Sequence, residues 1–205
     1  VVQSSGNNIN DSLIRTITLN AILFLIVVLV FVGFNHSNRR RTKLLLHSSY
    51  HDQLTGLKNR RAYEETIAGL SMEKMKNDFV FIIADINGLK KSNDNIGHLA
   101  GDEMIMGAAD CLRMAFGENA DIFRIGGDEF AVILRTDEKQ LKKYLASLKK
   151  HSNAWRGEIV EGLSMSVGYI AQWDNQDKTL HEMINEADKK MYDDKKAFYS
   201  NLENE

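Results

Sequence analysis

Apolar residues near the start of the chain form one long uninterrupted run. Residues 16–34, TITLNAILFLIVVLVFVGF, carry no charge. At about 1.5 Å per helical residue, this length matches the roughly 30 Å hydrocarbon core of a bilayer. A buried core helix would show a polar face, and a signal peptide would have a shorter apolar region followed by a small-residue cleavage site. The pattern therefore predicts a transmembrane helix over residues 16–34.

Charged residues on either side of this segment predict its orientation. Positions 39–41 and 43 after it are Arg or Lys, whereas only Arg15 precedes it. Because basic flanks stay in the cytoplasm, we expect a single-pass protein of the cytoplasmic (inner) membrane, with its C-terminal side inside the cell. Residues 1–15 would be an extracytoplasmic remnant, and residues 35–51 a cytoplasmic connector helix.

Hydrophobic periodicity beyond the connector predicts one globular domain over residues 52–199, followed by a short tail over 200–205. The continuous apolar run FVFIIA at 79–84 is typical of a buried central strand. Residues 101–116, and a last segment that begins near Leu180, place apolar side chains at helical spacing. These segments predict a domain that contains both helices and buried strands.

Further strands complete the expected fold. DIFRI at 121–125 and FAVIL at 130–134 flank a Gly-Gly pair and predict a β-hairpin. LSMSVGYIA at 163–171 alternates in the manner of another strand. The resulting order of helix, strand, helix, hairpin, helix, strand and helix predicts an α+β fold, in which helices pack on an antiparallel sheet.

Composition and charge exclude several classes of function. The formal net charge is −2, so no basic field indicates DNA or RNA as a partner. The single cysteine, Cys111, excludes an intramolecular disulfide and a cysteine-based metal site. Its position within an apolar helical pattern predicts a buried, reduced thiol.

Three carboxylates stand out because each lies where a predicted strand ends or begins. Asp85 terminates the apolar run, and Asp128 and Glu129 lie at the predicted hairpin tip. A turn cap or solvated charges would explain each one alone, but an antiparallel sheet would bring the strand ends together. With no internal cation expected among them, a divalent metal is the simplest partner, and oxygen ligands favour Mg²⁺ or Mn²⁺. Two such ions could activate an attacking hydroxyl and stabilise a pentavalent phosphorus.

The segment RIGGDEF at 124–130 resembles the signature of the GGDEF family of diguanylate cyclases. Further segments resemble that family in the same order: DQLTGLKNRR at 52–61, DINGLKKSNDNIGHLAGDE at 85–103, SMSVGYI at 164–170 and ADKKMYDDKK at 187–196. The resemblance implies a nucleotide-cyclase fold, related to polymerase palm domains, that condenses two GTP into cyclic di-GMP and two pyrophosphates. It also implies a homodimer, because each protomer supplies half of the site.

For the reaction centre, the resemblance implies a set of metal ligands and a catalytic acid. Asp85, Asp128 and the Ile86 carbonyl would bind Mg²⁺ or Mn²⁺, two ions per active site. Glu129 would assist both metal binding and activation of the 3′-hydroxyl.

For the guanine base, the resemblance implies recognition by Asn93 and Asp102. The amide would donate to O6, and the carboxylate would accept from N1–H and N2–H, a pattern that adenine lacks. Asp102 could otherwise simply complement the dipole at the start of its helix. Gly126 and Gly127 would leave room for the nucleotide because they have no side chains.

For the triphosphate, the resemblance implies two lysines and one backbone turn. Lys90 and Lys195 would contact phosphate oxygens through their ammonium groups. The turn formed by Asn87, Gly88 and Leu89 would add backbone N–H groups.

Several positions depart from the family pattern. Asn87 stands where family members often have Asp. Phe198, Tyr199 and Ser200 replace the common Gly-Arg-Asn, so one cationic phosphate contact is missing. GENA at 117–120 replaces the Arg-x-x-Asp of the product-inhibition site, which we therefore predict to be absent.

The leading expectation is a membrane-anchored diguanylate cyclase in bacterial second-messenger signalling. One alternative is a non-catalytic GTP-binding module of a membrane receptor, which the intact GGDEF tip opposes and the missing arginine favours. Another is a cyclase that makes a different cyclic dinucleotide, which Asn93 and Asp102 disfavour.

Overall fold

The structure, a computed structural model, describes residues 50–72 and 77–203, together with positions 20, 25, 28–31 and 34. Most of the predicted transmembrane segment and of the segments on either side of it lies outside these residues. Within the described part of the chain, no helix combines the length and the apolar character needed to cross a membrane. The membrane span therefore stays a prediction.

Helices and strands follow one another in nearly the predicted order. Where one helix was expected between the first strand and the hairpin, the chain forms two, which are separated at Gly97, a glycine with a left-handed φ of 113°. The main elements of the described chain are α1 (Arg60–Met72), β1 (Phe79–Ile86), α2 (Leu89–Ile96), α3 (His98–Phe116), β2 (Ala120–Arg124), β3 (Glu129–Arg135), α4 (Glu138–Ala154), β4 (Met165–Ala171) and α5 (Leu180–Glu203).

The strands form one antiparallel sheet in the order β2-β3-β1-β4. Every residue of β1 is buried, and its side chains alternate between two apolar clusters, with Val80 and Ile82 on one face and Phe81 and Ile83 on the other. This pattern explains the continuous apolar run in the sequence and confirms the prediction of a central strand. β2 and β3 form the predicted hairpin.

Helices cover both faces of the sheet. α3 and α4 pack on the face of Val80, for example through Leu112 and Leu148. α1 and α5 contribute to the cluster on the opposite face, for example through Ala62 and Met183. The layers confirm the predicted α+β architecture of an antiparallel sheet with packed helices.

The last helix approaches β4 closely because Gly168 has no side chain. A Cβ at Gly168 would meet the Ala187 carbonyl oxygen and the Met191 backbone nitrogen of α5. This contact holds α5 close against β4. The helix continues to Glu203, beyond the domain end predicted at residue 199.

Candidate active site

Asp85 and Glu129 stand side by side on neighbouring strands. They are register partners in the pairing of β1 with β3, and partners of this kind place their Cβ atoms about 5 Å apart. The Ile86 N–H donates to the Asp128 carbonyl oxygen over 3.1 Å, which joins the hairpin tip to the end of β1. Asp85 is only 4% exposed, whereas Asp128 and Glu129 are half-buried. The sheet therefore brings these carboxylate-bearing residues to one end of the fold.

A lysine of α5 supplies an unexpected cation among these carboxylates. Lys195 Nζ donates to Asp85 Oδ1 over 2.6 Å, and the pair is largely shielded from water. The expectation of a site without an internal cation was therefore wrong. Lys195 lies 110 positions after Asp85 in the sequence, and only the path of α5 brings the two residues together.

The surroundings shift the pKa values of these groups. Burial raises the pKa of Asp85, and Asp128 adds to this effect although Lys195 opposes it. Burial also raises the pKa of Glu129, with further contributions from Asp128, Asp85 and Asp188 of α5. Burial is the largest influence on Lys195 and acts to lower its pKa, but the hydrogen bond to Asp85 and the negative charges of Asp85 and Asp128 together outweigh it, so the pKa is raised. Negative charge thus exceeds positive charge at the site, which favours the binding of a cation.

The donor atoms suit a hard divalent cation in type. Carboxylate oxygens of Asp85, Asp128 and Glu129, with the Ile86 carbonyl, are the ligands that Mg²⁺ and Mn²⁺ prefer. Among the described residues, however, no three His, Cys, Asp or Glu side chains are grouped so that they could hold a metal ion. Lys195 contacts only one of the two Asp85 carboxylate oxygens, Oδ1.

The two glycines at the hairpin tip have different surroundings. Neither Gly126 nor Gly127 is among the described glycines with a left-handed φ. A Cβ on Gly126 would come within 2.6 Å of Glu129 Oε2, whereas a Cβ on Gly127 would have no described neighbour within 4 Å. The absence of a side chain at Gly126 therefore accommodates Glu129, and the open space for an approaching ligand lies at Gly127.

Arg124 supports the hairpin tip. Its guanidinium group donates to both carboxylate oxygens of Asp52, over 3.0 and 3.1 Å, and to the Gly127 carbonyl oxygen over 2.9 Å. Burial acts to raise the pKa of Asp52, but bonds from Thr55 and Arg124 outweigh it and hold that pKa below 3.8. The arginine is visible in RIGGDEF, but its partner lies 72 positions away, so no local sequence pattern reveals this pair.

The turn between β1 and α2 already uses several of its polar groups within the protein. Asn87 donates its N–H to the Ser164 carbonyl, and its side-chain amide bonds the hydroxyl groups of Ser164 and Ser166. Gly88 has a left-handed φ of 76° and donates its N–H to the Tyr199 hydroxyl over 3.1 Å. Asn87 therefore fixes the turn through its side chain, which faces away from the predicted phosphate position.

A cleft of about 390 Å³ opens beside this turn. Six of the predicted residues line it: Ile86, Gly88, Leu89, Lys90, Asp128 and Lys195. Residues that the sequence analysis did not assign also line it, and these are Lys91, Asp94, Asn95 and Tyr199. The cleft combines ammonium groups with a backbone turn, which is the arrangement that a triphosphate requires.

Another cavity, of about 410 Å³, lies between β4, α4 and α5. Of the predicted site residues, Asn87 alone lines it. The predicted chemistry therefore belongs to the cleft beside Gly88 rather than to this cavity.

Asn93 and Asp102 lie on the successive helices α2 and α3. The Asn93 amide occupies the space that a side chain on Gly101 would fill. Its Oδ1 is buried and has no hydrogen-bond partner among the described residues. An unpaired buried acceptor is costly, so a ligand that pairs this amide would be stabilised. Because α3 begins at His98, Asp102 lies beyond its first turn, and complementing the helix dipole explains this acid poorly.

Comparisons with known proteins agree with this geometry. A family model described as "Diguanylate cyclase, GGDEF domain" matches residues 49–200. The bifunctional diguanylate cyclase/cyclic di-GMP phosphodiesterase MucR of Pseudomonas aeruginosa is 30% identical over 160 residues, which are 75% of this chain and 23% of MucR. The diguanylate cyclase DgcS of Shewanella oneidensis is 29% identical over 143 residues, which are 69% of this chain and 48% of DgcS. The chain thus spans about a quarter to a half of the length of these relatives.

A solved structure has the same fold. The coiled coil and GGDEF domain of DgcB from Caulobacter crescentus, in complex with c-di-GMP, matches with a TM-score of 0.72. The match covers 81% of this chain and 91% of the DgcB chain, at 20% sequence identity. At that identity the likeness concerns the fold alone.

Proposed function

Because the chain belongs to the GGDEF family of diguanylate cyclases, we propose that it condenses two GTP molecules into cyclic di-GMP and two pyrophosphates. The observation that carries the proposal is the placement of Asp85, Glu129 and Lys195 at one end of the sheet, beside the lysine-lined cleft. In each half-reaction, the 3′-hydroxyl of one GTP attacks the α-phosphorus of the other. A bond from phosphorus to O3′ forms, and pyrophosphate leaves.

The cleft beside Gly88 is the proposed triphosphate site. Lys90 and Lys195 would neutralise phosphate oxygens, and the backbone N–H groups of the turn would add directed hydrogen bonds. The raised pKa of Glu129 brings this carboxylate closer to the range in which it can accept the proton of the 3′-hydroxyl.

Guanine would be selected by Asn93 and Asp102. Asn93 would donate its Nδ2–H to guanine O6, while its buried Oδ1, which has no hydrogen-bond partner among the described residues, could accept only from a donor group of the ligand. The carboxylate of Asp102 would accept from N1–H and N2–H of guanine. Adenine has neither an N1–H nor a 2-amino group, so ATP would leave Asp102 without both of these partners.

Asp85, Asp128 and Glu129, with the Ile86 carbonyl, are the residues that would hold divalent cations, two Mg²⁺ or Mn²⁺ per active site. When bound, such ions offset phosphate charge and lower the pKa of a hydroxyl group. Lys195, which pairs with Asp85 in the free protein, also lines the cleft and would contact the triphosphate there.

The active form would be a homodimer, because each protomer offers one nucleotide cleft and the reaction joins two nucleotides. A transmembrane helix over residues 16–34 would anchor the cyclase in the cytoplasmic membrane, with the catalytic domain in the cytoplasm. The span and its connector would then control how two catalytic domains meet. Product feedback through the segment 117–120 would be absent, because its sequence GENA lacks the Arg and Asp of the family's inhibitory site.

Product formation at several protein concentrations tests this function. The full chain, incubated with GTP and Mg²⁺, should form cyclic di-GMP and pyrophosphate in a 1:2 ratio, as the proposed reaction requires. Specific activity should rise with protein concentration until dimers saturate. GTP binding without any cyclic di-GMP at high protein concentration would instead indicate the non-catalytic GTP-binding module.

A further inference from the structure

One face of α5 carries Met191, Lys195 and Tyr199 at intervals of four residues. Such residues lie one above another on a helix. Met191 is buried in the core, Lys195 bonds Asp85, and the Tyr199 hydroxyl accepts the Gly88 N–H over 3.1 Å. One helical turn of α5 therefore contacts the carboxylates through Lys195, and the next helical turn contacts the loop at Gly88 through Tyr199.

Tyr199 lies beside Gly88 because α5 continues as a helix past Lys195. Phe198 and Tyr199 stand where the GGDEF pattern commonly has Gly and Arg, and the helix continues through them to Glu203. Their rings pack edge to face, with centroids 5.3 Å apart. Phe198 favours the helix by about 1 kcal/mol or less relative to the glycine of the pattern. An aromatic ring on a helix thus stands where the family pattern has a cation.

The hydrogen bond to Tyr199 uses a group that the triphosphate also requires. Asn87 already donates its N–H to Ser164, so the N–H of Gly88 is the first along the turn that could reach a phosphate oxygen. Tyr199 and Gly88 line the same 390 Å³ cleft as Lys90 and Lys195. A phosphate oxygen and the phenol oxygen cannot both occupy the position in line with that N–H.

We propose that the Tyr199 hydroxyl competes with the terminal phosphates of GTP for the Gly88 N–H, and so sets the affinity of this chain for its nucleotide. The inference rests on the proposed function of the cleft. A charged phosphate oxygen makes the stronger hydrogen bond and displaces the phenol. Tyr199 is 42% exposed, so water can replace its lost partner once the ring has moved.

Removal of the hydroxyl tests the competition. In the full chain, Tyr199→Phe keeps the ring and its packing on Phe198 but frees the Gly88 N–H. The KM for GTP should fall about fivefold, the effect expected of one neutral hydrogen bond, with the change in KM rather than in kcat. Tyr192→Phe is the matched control, because Tyr192 is an exposed tyrosine of the same helix whose ring contacts Lys196. An unchanged or higher KM in Tyr199→Phe would overturn the proposal.

Two binding measurements keep this inference separate from the proposed function. The affinity for inorganic tripolyphosphate with Mg²⁺, measured by calorimetry, should also increase about fivefold in Tyr199→Phe. The amide resonance of Gly88 should differ between wild type and variant without ligand, and should coincide when both are saturated with tripolyphosphate. Equal affinities, or resonances that still differ at saturation, would refute the competition. Absence of cyclic di-GMP from the wild type would refute the proposed function and leave both measurements valid.

Discussion

Lys195 Nζ lies 2.6 Å from Asp85 Oδ1 and joins the last helix to the central strand. The carboxylate is nearly inaccessible to water, so this ammonium group supplies much of the positive charge that stabilises it. The same lysine lines the proposed triphosphate cleft. The Lys195 ammonium group can therefore pair with a buried carboxylate in the free protein and with a phosphate group in the complex.

Replacement of Lys195 should impair both substrate binding and stability. In Lys195→Gln, Asp85 loses its charged partner, so we expect the free energy of unfolding to fall by about 1–3 kcal/mol. The KM for GTP should rise at least about tenfold, because a charge-assisted contact to the triphosphate is lost. Lys196→Gln is the control, since Lys196 is exposed and stacks on Tyr192. Equal KM values for the two variants would contradict the assignment of Lys195.

Asp102 should determine the choice of base. Asp102→Asn replaces a double acceptor by an amide, so kcat/KM for GTP should fall by about 10- to 100-fold. The ratio of GTP turnover to ATP turnover should fall as well, which competition assays with both nucleotides would measure. Asp110→Asn is a suitable control, because Asp110 lies on the same helix and pairs with Arg113 on the surface. A variant that keeps the wild-type preference for GTP would show that Asp102 does not contact the base.

Gly168 should be intolerant of any side chain. A Cβ there would meet backbone atoms of Ala187 and Met191, and backbone cannot rotate away as a flexible side chain can. We expect Gly168→Ala to lower the free energy of unfolding by about 1–3 kcal/mol, through displacement of α5 from β4. Cyclase activity should fall too, because α5 carries Lys195. Gly162→Ala, where the added Cβ meets nothing within 4 Å, should change neither property measurably. Equal stability of the two variants in denaturant titrations would refute this packing.

The pair of Asp52 and Arg124 should contribute stability that is lost in acid. Because the pKa of Asp52 in the folded protein lies below 3.8, the unfolded chain binds its proton more readily. The contribution is therefore complete above pH 3.8 and disappears as the pH falls through the folded-state value. Asp52→Asn should be less stable than wild type by about 2 kcal/mol at pH 7, and this difference should narrow below pH 3.8.

Asp78→Asn provides the comparison for that experiment. Asp78 also pairs with an arginine, Arg135, over 3.0 Å, but both side chains are more than 40% exposed. Exposed ion pairs contribute little, so its effect should stay below about 0.5 kcal/mol at every pH. If Asp52→Asn and Asp78→Asn have equal effects at pH 7, Arg124 does not stabilise the hairpin tip in the way we describe.

The fold and the order of its elements could be predicted because local patterns determine them. The apolar run at 79–84 needed burial on both faces, and the Gly-Gly pair between two apolar segments favoured a hairpin. The break at Gly97 was harder to foresee, because residues 89–96 contain few apolar side chains that would mark a separate helix. The predicted membrane segment lies mostly outside the described residues, so the fold does not bear on it.

The contacts of the site could be predicted only in part, because several depend on distant pairings. The proximity of Asp85 and Glu129 could be predicted, because antiparallel pairing brings the end of one strand beside the start of the next. The ion pair of Asp85 with Lys195 depends on how closely α5 approaches β4, which Gly168 controls and no local pattern reveals. Tyr199 was recognised as a departure from the family pattern, but its bond to Gly88 required the course of the helix.

We expect the end of the sheet that carries Asp85 and Glu129 to catalyse cyclic di-GMP synthesis. The most direct test measures cyclic di-GMP by chromatography after incubation of the full chain with GTP and Mg²⁺, beside Glu129→Gln and the exposed control Glu64→Gln. We predict product from the wild type and the control, and at least about 100-fold less from Glu129→Gln at equal folded protein. Undiminished product from Glu129→Gln would show that Glu129 is not catalytic, and no product from the wild type while GTP binds would show that the chain is not a cyclase.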